Sequence, residues 1–131
     1  RWTADGKKLV ATRVNNIELT DYETVLIDPD TGKTEAINLP ANVRVLDCGR
    51  DGKTFLVQAI DVGAKKSRLA LAKVGDRDVA VLCDLRDRGY RPTEGRLSPD
   101  GKTVLFIDAD PERKDAHKWG ASQKVYVLDV A

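Results

Sequence analysis

The feature that most constrains this chain is a turn that occurs three times. Asp5-Gly6-Lys7-Lys8, Asp51-Gly52-Lys53-Thr54 and Asp100-Gly101-Lys102-Thr103 set a glycine at 6, 52 and 101, spaced 46 and 49 residues apart. An apolar run rich in strand formers follows each turn: Leu9-Val10-Ala11, Phe55-Leu56-Val57 and Val104-Leu105-Phe106-Ile107. A second run follows later in each unit, at Val25-Leu26-Ile27, Leu69-Ala70-Leu71 and Val125-Tyr126-Val127-Leu128. Several short strands repeated at this period make the four-stranded blade of a β-propeller. Ser98-Pro99-Asp100-Gly101 has proline where a turn wants a fixed φ and glycine where the chain turns left-handed. Asp28-Pro29-Asp30-Thr31-Gly32 and Gly75-Asp76 supply the second hairpin turns, and no long helix has room to form.

The fold class read from this pattern is all-β, a β-propeller type with about three four-stranded antiparallel blades. Blade one takes residues 1–40 and has only the end of strand A, at Arg1-Trp2-Thr3; its strands B, C and D fall near Lys8–Val14, Thr24–Asp28 and Thr34–Leu39. Blade two takes 41–86, with strands at Val43–Asp47, Thr54–Ile60, Arg68–Lys73 and Asp78–Leu85. Blade three takes 87–131, with strands at Glu94–Ser98, Thr103–Asp108 and Lys124–Val130, and no strand D. Near-continuous apolar middle strands are expected where both sheet faces pack on neighbouring blades.

These turns resemble the TolB-type propeller repeat, a tryptophan-aspartate-repeat-like family with a Trp-Ser-Pro-Asp-Gly-Lys stretch at the end of the first strand. Leu97-Ser98-Pro99-Asp100-Gly101-Lys102 matches it best. Trp2-Thr3-Ala4-Asp5-Gly6-Lys7 keeps the tryptophan and loses the proline, and Cys48-Gly49-Arg50-Asp51-Gly52-Lys53 keeps the Asp-Gly-Lys end. The resemblance spans essentially the whole chain. It implies a fold rather than a reaction, because the motif residues build a turn. It also implies a protein or peptide partner and a place outside the cytoplasm, in the bacterial envelope.

Composition narrows the partners. The 22 basic and 21 acidic residues lack the basic excess of a general nucleic-acid binder, and no apolar run reaches membrane-spanning length. The chain starts at Arg1 and holds no methionine, which predicts a fragment or cut domain. Cys48 at the end of an inner strand and Cys83 in the outer strand of the same blade are separated by three strand spacings, about 14 Å, beyond disulfide reach.

Loops that emerge together on one face, after strand B and after strand D, carry the candidate binding residues. Arg86, Arg88, Tyr90 and Arg91 lie between blades two and three, and Arg113, His117, Lys118 and Trp119 lie in the long loop of blade three. Arginine forks bind carboxylates bidentately and the aromatic rings offer flat contacts. Asp87, Glu94, Glu112 and Asp115 dilute the positive field. His117 is the only histidine and no Gly-x-Ser-x-Gly elbow is present, so neither a metal cluster, a cofactor cradle nor a nucleophilic triad is expected. Asp28-Pro29-Asp30-Thr31-Gly32 starts like a calcium loop but has Leu39 where a bidentate glutamate belongs. Asp108-Ala109-Asp110-Pro111-Glu112 reads as a strand end entering a loop.

The expected function is therefore non-catalytic protein binding or scaffolding on the loop face. The alternative is the propeller portion of a prolyl-oligopeptidase-like peptidase whose catalytic domain lies outside this chain. Three blades do not close a ring, so the expectation is either the remainder of a longer propeller or two copies completing six blades.

Overall fold

In each Asp-Gly-Lys turn the carboxylate holds the loop closed. Asp5 accepts from the Lys7 N–H at 3.1 Å, Asp51 from Lys53 at 2.9 Å and Asp100 from Lys102 at 3.0 Å. Each turn glycine donates its N–H back to the carbonyl three residues earlier, on Thr3, Gly49 and Ser98. Gly6, Gly52 and Gly101 sit at φ 69°, 65° and 72°, where any L side chain costs about 1–2 kcal/mol. Gly49 is needed for another reason: a Cβ there would lie 2.9 Å from the Thr54 carbonyl oxygen.

The computed structural model describes residues 1–16, 21–86, 93–109 and 123–130. Its described strands are β1 (Leu9–Val14), β2 (Tyr22–Ile27), β3 (Thr34–Ala36), β4 (Val43–Cys48), β5 (Thr54–Asp61), β6 (Lys66–Lys73), β7 (Ala80–Asp84), β8 (Gly95–Leu97), β9 (Thr103–Ala109) and β10 (Gln123–Asp129). They form three antiparallel meanders, β1-β2-β3, β4-β5-β6-β7 and β8-β9-β10. The chain is thus all-β, a partial propeller, with a complete blade between two incomplete ones. Strand A of blade one is reduced to the bridge between Trp2 and Leu9, and blade three has no described strand beyond β10.

Several strand ends differ from the sequence reading: β6 begins at Lys66 ahead of Arg68, and β7 runs only from Ala80 to Asp84. β2 begins at Tyr22, because Val14 pairs with it. The outer strand of blade one stops at Ala36 instead of reaching Leu39: Ile37 still donates its N–H to the Thr24 carbonyl, and the Ile37 and Leu39 side chains pack against the core between blades one and two.

Side-chain alternation along β5 explains why the middle blade is apolar on both faces. Phe55 and Val57 join Val10, Val43, Ala70 and Ala72 in the core against blade one. Leu56 points the other way, into a core with Leu46, Leu69, Leu85, Val104 and Phe106 against blade three. There Phe106 stacks on Tyr126, ring centroids 5.4 Å apart.

The innermost strands are tied across the blade seams by one repeat position. Arg1, four residues before Asp5, donates through Nε to the Leu46 carbonyl of blade two at 3.0 Å. Asp47, four residues before Asp51, accepts the Leu97 N–H of blade three at 2.9 Å. Arg96 occupies the position in blade three and donates to the Gly95 carbonyl.

Candidate functional site

Seven of the eight candidate binding residues, Arg88, Tyr90, Arg91, Arg113, His117, Lys118 and Trp119, lie outside the described residues. Arg86 is described and exposed, and the strand ends that carry the two loops are described.

Those ends are joined. The segment between blades two and three leaves at Arg86, whose backbone N–H donates to Asp108 Oδ2 at 2.9 Å. It returns at Thr93, whose hydroxyl donates to the Ile107 carbonyl. Ile107, Asp108 and Ala109 are the last residues of β9, where the long loop of blade three departs, and Gln123 opposite Ala109 is where that loop returns. Asp108 is 3% exposed and also accepts its neighbour's N–H, from Ala109, at 2.8 Å. Of the acidic stretch read from sequence as a strand end, Asp108 and Ala109 are described and close β9, and Asp108 is the anchor between two loop roots.

Beneath these roots a buried polar network crosses all three blades. Gln58 of β5 is fully buried. Its Oε1 accepts from the Thr93 N–H at 3.3 Å and from Arg44 at 3.3 Å, and its Nε2 donates to Ser67 Oγ at 3.1 Å. Arg44 continues to blade one, donating to the Tyr22 hydroxyl at 3.1 Å with its guanidinium 5.1 Å from the ring centroid. Buried polar groups are held this way because each unpaired one costs about 1–3 kcal/mol. Sequence reasoning missed this network. Its one visible sign was Gln58 as the polar exception in the run Phe55-Leu56-Val57-Gln58-Ala59-Ile60.

Along the inner strands runs an open groove of about 450 Å³, lined by Arg1, Thr12, Arg44, Thr93, Glu94 and Arg96 among others. It meets the loop roots at Thr93. Three arginines against one glutamate give it a cationic lining that can hold carboxylates. Among the described residues no group of histidine, cysteine and carboxylate side chains is arranged to hold a metal ion. Cys48 and Cys83 are free and half-buried. Burial, reinforced by nearby aspartates, pushes both thiols above their ordinary pKa, which makes them poor nucleophiles. The Asp28 carboxylate accepts the Asp30 and Thr31 N–H groups, so the segment that resembled a calcium loop is a hairpin turn. No described helix is long and apolar enough to cross a membrane.

No family model and no curated protein matches the sequence. Solved structures do. TolB from Acinetobacter baumannii superimposes with a TM-score of 0.60 at 25% identity, over 98% of this chain and 28% of that one. The β-propeller domain of the Trilobed protease from Pyrococcus furiosus, described as having an open velcro topology, matches with a TM-score of 0.56 at 18% identity, over 100% of this chain and 40% of that one. The chain therefore spans well under half the length of either.

Proposed function

For a chain whose fold is that of the TolB-like β-propellers, we propose a non-catalytic binding role, with a protein or peptide ligand held on the loop face over the junction of blades two and three. The observation that carries this reading is the contact of Arg86 and Thr93 with Asp108 and Ile107, which joins the roots of both long loops. In this reading the two loops, rooted beside one buried carboxylate, share a single ligand. Arg86, Arg88, Arg91, Arg113 and Lys118 supply cations for carboxylates, and Tyr90, His117 and Trp119 supply flat rings. The arginine-lined groove beside Thr93 extends the surface inward.

The test is selection of displayed peptides on the immobilised chain, followed by comparison with the combined Tyr90→Ala, Arg91→Ala and Trp119→Ala variant. Selected peptides should lose binding to the variant while its circular dichroism spectrum is unchanged. Peptides that bind both proteins equally would overturn the loop-face reading.

A further inference from the structure

The residue before each turn aspartate holds one repeat position, filled by Ala4 in blade one, Arg50 in blade two and Pro99 in blade three. The turns close without its side chain, through their aspartate and glycine contacts. Arg50 is exposed, and its guanidinium has no hydrogen bond or ion pair among the described residues. The carboxylates beside it are engaged elsewhere. Asp51 accepts from the Lys53 and Thr54 N–H groups at 2.9 and 2.8 Å and from the Thr54 hydroxyl at 2.7 Å. Asp100 accepts the Ser98 hydroxyl at 2.7 Å.

Arg50 stands between two clefts built to one plan. The first, about 650 Å³, lies between the turns of blades one and two, with Lys7, Leu26 and Arg50 in its lining. The second, about 330 Å³, lies between the turns of blades two and three, with Arg50, Leu71, Leu97 and Pro99 in its lining, and is formed wholly by residues 49–101. Leu26 and Leu71 are repeat equivalents, since each pairs with the residue four beyond its turn glycine, Val10 and Leu56. Leu26, Leu71 and Leu97 are half-buried, so each cleft has an apolar floor. Lys7 adds a second cation whose side chain has no partner among the described residues, whereas Lys8 is held by Glu35 at 3.2 Å. Both clefts lie at the turn end of the strands: β9 starts beside its turn at Thr103 and reaches the loop roots only at Asp108.

The geometry points to a second binding surface, in which Arg50 and the clefts on either side of it take an extended peptide of a partner protein that carries an acidic residue between apolar ones. An arginine fork without a partner pairs with a carboxylate. In an extended chain the side chains two positions before and two positions after a residue lie on its own face. A carboxylate on Arg50 therefore brings one flanking side chain to the Leu26 floor and the other to the floor of Leu71 and Leu97. A compact carboxylate would use the arginine and leave both floors uncovered, so the paired clefts fit a peptide better than a small acid. This surface lies at the opposite end of the strands from the loop face and does not rest on the role proposed there.

Random displayed peptides are selected on the whole chain carrying Tyr90→Ala, Arg91→Ala and Trp119→Ala, which removes loop-face candidates, and enriched sequences are synthesised and titrated by fluorescence anisotropy. The enriched set should carry an acidic residue with apolar residues two positions to either side. Replacing that acidic residue by its amide should weaken binding about tenfold. Arg50→Ala in the protein should weaken it equally, with no further loss when both changes are combined. This variant keeps its turn, since blade one carries Ala4 at the same position, and an unchanged urea midpoint verifies that it does. Failure to enrich the pattern, or equal affinity for the Arg50→Ala chain, would overturn the proposal. So would displacement of the peptide by acetate at the peptide's own concentration, because the clefts would then add nothing to a bare carboxylate.

Discussion

Gln58→Leu tests whether the three blades are held in place by the polar network under the loop roots. The substitution keeps side-chain volume and removes both amide atoms. The Thr93 N–H and Ser67 Oγ are left in a setting where Thr93 is 6% exposed, Ser67 1% and Gln58 itself 0%. One stranded buried N–H costs about 1–3 kcal/mol. Ser67 can rotate its hydroxyl, and Arg44 keeps Tyr22, so those losses together add about 1 kcal/mol. Burying leucine in place of an amide returns about 1 kcal/mol. The net loss is about 2 kcal/mol, or a fall in Tm of about 8 °C for a chain of this size. Urea unfolding followed by circular dichroism measures it, with the slope unchanged if the denatured state is unaffected. Gln58→Leu combined with Ser67→Ala should cost less than the sum of the two single changes, because one orphaned partner is removed with the other. A Gln58→Leu chain as stable as the parent would refute the reasoning and show that the network sets geometry without net stabilisation.

Two more predictions follow from the repeat. Asp5, Asp51 and Asp100 are each held below the ordinary carboxylate pKa, chiefly by hydroxyl donors, from Thr3, Thr54 and Ser98. A carboxylate with a lower pKa folded than unfolded contributes fully above its unfolded value and loses that contribution as pH falls through the folded one, so the urea midpoint should decline below about pH 4; Asp51→Asn should flatten that decline, and an unchanged acid limb would count against the turns as its source. Leu56 and Leu105 occupy one repeat position at 0% and 46% exposure, so Leu56→Ala should cost about 2–5 kcal/mol and Leu105→Ala under about 1 kcal/mol, with equal losses arguing that blade three's outer face is covered.

What the sequence disclosed is what local chemistry determines. The Asp-Gly-Lys turns contain their own hydrogen bonds, so their meaning survives without knowledge of the rest of the chain. The apolar runs after them were legible for the same reason, and their boundaries fall within two residues of β5, β6 and β9. The outer strand of blade one was overextended because Ile37 and Leu39 look like strand residues until the core that claims them is known. The network was hidden for a deeper reason. Tyr22, Arg44, Gln58 and Thr93 come from three blades, and nothing local in any of them announces the others. Asp108 shows the boundary between the two cases: its position at a strand end was readable, and its hold on the Arg86 amide was not.

The seam contacts of Arg1 and Asp47 carry an implication for how such surfaces diversify. A cation and an anion occupy the same repeat position and each finds a main-chain partner in the next blade, one a carbonyl and the other an amide. Main chain offers both polarities to whatever side chain arrives, so the sign of the charge at this position is decoupled from the cohesion of the seam. The charge carried by the inner strands can therefore change blade by blade while the two seams stay tied.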